Sequence, residues 1–210
     1  MSDTENKERL TENKKDHNSV KKEIISYIKM IIAVVAIVII LENFIIINAK
    51  IPSESMENTV MAGDRIFGSR LSYLFSDPER YDIVIFRYPD NESQLFIKRI
   101  IGLPGETVTI RDGKVYINDP ECTGEPLTDS FCPEVPADFD GEYVVPEDSY
   151  FMLGDNRNHS KDSRYWVNTF VNRKKILGKA VFRYWPLTTI SIIHGGEEDY
   201  YYPEKGGLSS

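Results

Sequence analysis

Apolar and polar positions divide the chain into three regimes. Residues 1–22 (MSDTENKERLTENKKDHNSVKK) are polar, mixed in charge and free of aromatics. Such a segment buries too little apolar surface to order itself, and it reads as a disordered tail. From Ile24 to Leu41, 18 residues carry a single charge, Lys29. As a helix rising about 1.5 Å per residue they reach roughly 27 Å, close to the thickness of a bilayer core. Beyond Lys50 the pattern changes to short runs of β-branched and aromatic residues. Asp82–Tyr88, Leu95–Ile101, Thr107–Ile110, Val115–Ile117, Tyr150–Leu153, Ala180–Trp185 and Thr188–Ile193 read as strands. Between Ile110 and Val115 the pair Asp112-Gly113 supplies the positive φ angles of a tight hairpin turn. No long amphipathic helix and no internal repeat emerges.

This pattern predicts a mainly β protein, an antiparallel sheet domain preceded by one transmembrane helix. The segments are a tail over 1–22, an anchor over 23–48, and a β core built from 49–118 and 149–193. A Pro-rich insert covers 119–148, and a loose tail covers 194–210. Phe44–Ile47 either dips back into the interface or begins the folded domain. Tyr27 and Lys29 suit a headgroup region, where a lysine snorkels. A cleaved signal peptide ending at Ala49 is the rival reading, but the apolar stretch exceeds the roughly 7–15 residues of such a core. Lys14, Lys15, Lys21 and Lys22 precede the span, and only Lys50 follows closely. Positive-inside bias therefore puts the N-terminus in the cytosol and residues 50–210 outside, in a single-pass cell-membrane protein.

Charge sharpens the division. The 210 residues hold 25 Lys and Arg against 33 Asp and Glu, a net charge of −8. Ten of the acids lie between Asp119 and Asp148, where there is no Lys or Arg, so without the insert −8 becomes +2. The acidity belongs to one segment, a solvated surface or a lobe repelled by anionic headgroups. Nothing offers the clustered basic face that duplex nucleic acid requires. Both cysteines, Cys122 and Cys132, fall in the insert. Outside the cytosol they could close a disulfide; two free thiols are the alternative, and no histidine nearby suggests a metal site.

Three segments carry candidate chemistry. The first is IPSESM, Ile51 to Met56, directly after the apolar span; alone it is a serine-rich turn. The second is FIKRIIGLPGE, starting at Phe96. Along a strand Lys98 shares a face with the apolar Phe96 and Ile100. Lost hydration lowers a lysine pKa, and a fall from about 10.4 to near neutrality costs about 4 kcal/mol. A lysine snorkelling at a sheet edge is the plainer reading. The third is GDNRNHSKDSR, from Gly154, in which Asp162 and Arg164 can pair and Asp155, Asn156 and Ser160 can bond local backbone.

Together the three segments resemble bacterial type I signal peptidase, a membrane-anchored serine protease family with a Ser–Lys dyad, in the family's order along the chain. Carried over by position, Ser55 resembles the nucleophile and Lys98 the general base. Ser53 resembles the residue whose hydroxyl completes an oxyanion hole with the Ser55 N–H. Ser160 resembles the hydroxyl that orients the lysine, and Asp155, Asp162 and Arg164 resemble supports of its loop. Ile51, Pro52, Met56, Phe96 and Ile97 match the lining of the apolar substrate groove. Two positions depart from the pattern: Asn58 stands where the family usually has Pro, and Val167 where it usually has Gly.

The resemblance implies a membrane-anchored endopeptidase that needs no metal or cofactor and removes signal peptides from preproteins after Ala-x-Ala-like sites. Its partners would be those preproteins and the lipid bilayer, and a monomer suffices. A self-cleaving repressor-type peptidase shares the dyad but carries a DNA-binding domain where this chain has its apolar span. A Ser-His-Asp hydrolase would have to use His159 or His194 and lacks a Gly-x-Ser-x-Gly elbow. The remaining alternative is an inactive membrane-anchored homologue or receptor.

Overall fold

The computed structural model describes residues 22–39, 44–132, 134–137 and 139–195. The chain divides into two compact units, 1–44 and 45–210. In the first, residues 22–39 form a helix whose side chains are all exposed. Among the described residues no helix is long and apolar enough to cross a membrane. Ile40 and Leu41, the end of the expected span, lie outside the described residues, as do 1–21 and 196–210.

The second unit is antiparallel β throughout. Its strands are β1 (Ile46–Lys50), β2 (Arg65–Ser69), β3 (Ile83–Tyr88), β4 (Asn91–Gly102), β5 (Thr107–Arg111), β6 (Lys114–Ile117), β7 (Gly141–Val144), β8 (Ser149–Leu153), β9 (Val171–Asn172), β10 (Ile176–Trp185) and β11 (Ser191–Ile192). The larger sheet runs β1-β2-β10-β3-β4-β8-β9, with β11 on β10; the smaller runs β6-β5-β7. Ile46 and Ile47 thus open the folded unit, because β1 pairs with β2 along its whole length.

Central strands are buried on both faces, which is why they read as continuous apolar runs. In β3, Ile83 and Ile85 enter one core cluster with Ile51, Met56, Val60 and Ile97. Val84, Phe86 and Tyr88 point the other way, into a cluster with Ile100, Met152 and Trp166. A third cluster, around Ile101, Val108 and Phe151, joins the small sheet to the large one. The β5–β6 hairpin turns at Asp112 and Gly113 with φ of 50° and 72°, as the Asp-Gly pair requires.

The insert departs from the expectation of a solvated excursion. Its β7 pairs with β5, and Phe131 is buried in the third cluster with Leu127 and Cys132 against it. Phe131, with Leu127, Phe139 and Tyr143 in the same cluster, gives an otherwise acidic segment an apolar face that packs onto the body. Cys122 and Cys132 are unbridged. Cys122 faces the Asp119 and Pro120 carbonyls, whereas Cys132 is drawn into the core. The described start of the C-terminal tail is also packed: the Gly195 carbonyl accepts a hydrogen bond from Arg99.

Candidate active site

Ser55 lies just past β1. The Ile51 N–H donates to the Asp64 carbonyl at 2.9 Å, and the Gly63 N–H returns to the Ile51 carbonyl at 2.8 Å. These bonds pin the chain as it leaves the strand. A helical turn follows, with the Val60 N–H on the Met56 carbonyl at 2.8 Å, and both side chains are fully buried. Ser55 is therefore held between a pinned strand end and a turn anchored in the core. Asn58, inside that turn, has φ of 78°. Asparagine tolerates this left-handed conformation, but the proline of the usual pattern, locked near −65°, does not. The departure at Asn58 is thus a different local turn. Val167 stands on the surface, its N–H on Asp90.

Lys98 comes from the centre of the large sheet, opposite Val84 in the β3–β4 register. It is 4 % exposed, which removes the edge-lysine reading. Its Nζ lies 2.6 Å from Ser55 Oγ and 3.0 Å from the Ile97 carbonyl. The ring of Phe96 is 5.5 Å away. Burial pulls the amine down to about 8, against the upward pull of Asp162 and Asp155. Among the described residues no carboxylate pairs with it. Ser53 Oγ is 3.3 Å from Ser55 Oγ.

The GDNRNHSKDSR loop closes over this pair. The Asn156 N–H donates to the Ser55 carbonyl at 3.2 Å. Asp162 accepts the Gly154 N–H at 3.0 Å through Oδ2. Arg164 bonds both oxygens of Asp162, Nε to Oδ1 at 2.8 Å and Nη2 to Oδ2 at 2.9 Å. Asp155 has a partner that sequence reasoning missed: the fully buried Arg99 grips it with Nε and Nη2 at 2.8 and 2.7 Å. Ser160 is buried, and its hydroxyl is without a hydrogen-bond partner. A side chain at Gly154 would collide with the Ser160 hydroxyl and the Ser55 carbonyl oxygen, so the three are stacked in contact. Gly154 was visible only as the first letter of a motif, and nothing in the sequence showed what approaches it.

A cleft of about 510 Å³ opens on the pair, walled by Asn48–Ser53 on one side and Leu95–Lys98 on the other. Ile51, Pro52, Phe96 and Ile97 line it. Met56 does not; it is fully buried in the first core cluster, supporting the turn from beneath. His159 and Lys161 stand at the cleft. His159 Nδ1 faces Asn156 Oδ1 at 3.3 Å.

The signal peptidase, peptidase S26 family matches residues 24–185. The chain belongs to the signal peptidase S26 family. A probable signal peptidase I-2 of Synechocystis sp. is 42% identical over 158 residues, 73% of this chain and 69% of that protein. Signal peptidase I of Bacillus amyloliquefaciens is 34% identical over 164 residues, 71% of this chain and 82% of that protein. A solved signal peptidase I from Enterococcus faecalis is 38% identical, covering 50% of this chain and 97% of that one, with a TM-score of 0.41. As a signal peptidase the chain is a hydrolase, a serine endopeptidase, and removal of signal peptides is the family's work.

Proposed function

We propose that Ser55 is the nucleophile and Lys98 the general base of a membrane-anchored enzyme that cuts preproteins after Ala-x-Ala-like sites. The observation that carries this is the 2.6 Å contact between Lys98 Nζ and Ser55 Oγ inside an apolar enclosure. A base must be neutral to accept a proton, and a buried lysine without a carboxylate partner is neutral far more readily than an exposed one. The same contact argues against an inactive homologue or receptor.

In the first half-reaction the neutral Lys98 amine takes the Ser55 proton as Ser55 Oγ attacks the scissile carbonyl. The Ser53 hydroxyl and the Ser55 N–H stabilise the oxyanion; a donor of this kind contributes about 3 kcal/mol. Lys98 then gives its proton to the departing amine. In the second half it deprotonates a water that attacks the acyl-enzyme, and Ser55 leaves with the proton returned. Ser160, whose buried hydroxyl is left without a hydrogen-bond partner among the described residues, orients the amine. An unsatisfied buried hydroxyl costs about 1–3 kcal/mol, a cost that a functional partner explains. Asp155, Asp162 and Arg164 hold its loop.

The preprotein lies in the cleft as an extended strand between Asn48–Ser53 and Leu95–Lys98, its small side chains against Ile51, Pro52, Phe96 and Ile97. The apolar segment before β1 serves as the anchor, shorter than the expected 23–48 because β1 begins at Ile46, with the N-terminus cytosolic and residues 50–210 outside. The helix over 22–39 exposes Ile and Val side chains around its circumference, which suits lipid rather than water. The enzyme works as a monomer, without metal or cofactor.

The test is cleavage of a preprotein in liposomes by wild type, Ser55→Ala and Lys98→Ala. Both variants are expected to lose turnover by about a thousandfold or more. Wild-type turnover in either one overturns the dyad.

A further inference from the structure

The acidic insert grips the loop that carries Ser160. Arg157, buried on that loop, forks onto Asp129 of the insert, Nη2 to Oδ1 at 2.7 Å and Nη1 to Oδ2 at 3.1 Å. Two residues on, the ring of Phe131 lies 4.1 Å from the Arg99 guanidinium and 5.8 Å from that of Arg157. Asn158 extends the seam. Its Nδ2 donates to Glu134 Oε2 at 3.1 Å and to the Val135 carbonyl at 3.2 Å, and its Oδ1 accepts the Ala137 N–H at 2.7 Å.

The loop is thus held from two sides. On one, Arg99 of β4 binds Asp155; on the other, the insert binds Arg157 and Asn158. Both grips converge on Phe131, which touches both arginines. Between them the loop delivers the Asn156 N–H to the Ser55 carbonyl and brings the Ser160 hydroxyl against Gly154. Among the described residues the Ser160 hydroxyl has no hydrogen bond of its own to fix it. Its position therefore depends on the backbone that Asp129 and Phe131 clamp.

We infer that Asp129 and Phe131 are positioning residues for the hydrolytic reaction, holding the Ser160 loop over Ser55 and Lys98 from outside the cleft. This rests on the dyad reading above. It gives one acid of the insert a role that its charge alone does not, because the contact is bidentate and made to a buried arginine.

The experiment measures cleavage of an Ala-x-Ala peptide by Asp129→Ala, Asp129→Glu, Phe131→Leu and the control Glu125→Ala. Rates are taken well below each variant's melting transition. Ser55→Ala and Lys98→Ala run in the same series. Asp129→Ala and Phe131→Leu are expected to lower kcat about ten- to a hundredfold, with KM within about twofold, because the cleft walls are untouched. A loosened loop admits water to Lys98, so the acid limb of the pH–rate profile moves to higher pH. A partly unfolded population does not move that limb. Asp129→Glu is expected to recover most of the rate, and Glu125→Ala, which alters an exposed acid, to leave it unchanged.

Wild-type kcat and acid limb in Asp129→Ala and Phe131→Leu, alongside dead Ser55→Ala and Lys98→Ala, overturn this inference alone. So does a loss of kcat with the acid limb unmoved. Retained turnover in Ser55→Ala or Lys98→Ala removes the dyad and this inference together.

Discussion

Arg99 and Asp155 form a bidentate ion pair closed to solvent, one residue along β4 from the lysine that meets Ser55. Successive residues of the strand thus receive opposite treatment. Among the described residues Lys98 is buried without a carboxylate partner, and Arg99 is buried with one. An arginine cannot shed its charge, so its burial demands a counter-ion; a lysine can, and its burial lowers its pKa instead. The pair also ties β4 to the loop after β8, which fixes the two halves of the site relative to each other.

Breaking this pair from one side leaves an uncompensated buried charge. Arg99→Met is therefore expected to destabilise the β unit by about 3–5 kcal/mol. The double variant Arg99→Met, Asp155→Leu should lose less than Arg99→Met alone, because no orphan carboxylate remains. Urea melts of the three proteins measure both quantities. A double variant less stable than Arg99→Met would show that Asp155 is held mainly by its other neighbours.

The rate should follow the Lys98 amine. Burial sets it at about 8, so below that pH most molecules hold an ammonium that cannot accept the Ser55 proton. Peptide cleavage is expected to rise about tenfold per pH unit on the acid side and to level above that pH. A pH–rate profile under kcat/KM conditions tests this in the free enzyme. A flat profile between pH 5 and 9 would exclude a lysine base.

The same lowered pKa carries a stability cost with a definite sign. Between about 8 and the ordinary 10.5 the unfolded chain binds a proton that the folded chain does not. Stability therefore rises with pH across this window. Below it both states are charged, and the folded state bears a penalty of about 3 kcal/mol. Lys98→Met removes the ammonium while keeping the bulk. It should abolish cleavage yet melt above the wild type at pH 7, with the gain shrinking as pH rises from about 8 to the ordinary 10.5. Thermal melts at several pH values decide it; a lower melting temperature at pH 7 would mean that the Ser55 contact outweighs desolvation.

Strands whose apolar runs sit in the sheet centre, such as Ile83–Tyr88 and the Leu95–Ile101 part of Asn91–Gly102, were legible because burial on both faces leaves a continuous hydrophobic signature, whereas the polar, exposed start of the latter at 91–94 carried none. The strands at Ile46–Lys50 and Gly141–Val144 were not, since one merges with the apolar span and the other hides in an acidic stretch. Motif order brought Ser55, Lys98 and Ser160 together on paper, and Asp162 with Arg164 by simple spacing. Contacts between distant segments carried no such signal. Arg99 looked like a strand residue on an apolar face, Asp129 like one acid among ten, and Met56 like groove lining, whereas its side chain faces the core. What decides each case is which chain segment crosses overhead, and no local pattern encodes that.

Gly154 gives the most stringent test of the site's geometry. It ends the approach from β8, and a Cβ placed there would run into the Ser160 hydroxyl and the Ser55 carbonyl oxygen at once. Neither neighbour is the far end of a flexible chain. Ser160 Cβ lies 2.5 Å from the added atom, and the Ser55 carbonyl is backbone, already tied to the Asn156 N–H. To admit a methyl group, either the loop must lift or the Ser55 turn must retreat. Both moves separate Lys98, Ser55 and the Ser160 hydroxyl, and a displacement near 1 Å is enough to cost about a hundredfold in rate. Gly154→Ala is therefore expected to cut kcat by about that factor. Ser160→Ala, which removes the hydroxyl and relieves part of the clash, should recover some of the rate when combined with it, although alone it slows the wild type. Steady-state kinetics on the four proteins gives the coupling directly. Additive losses in the double variant would mean that Gly154 and Ser160 act independently and that the stacked contact does not shape the site.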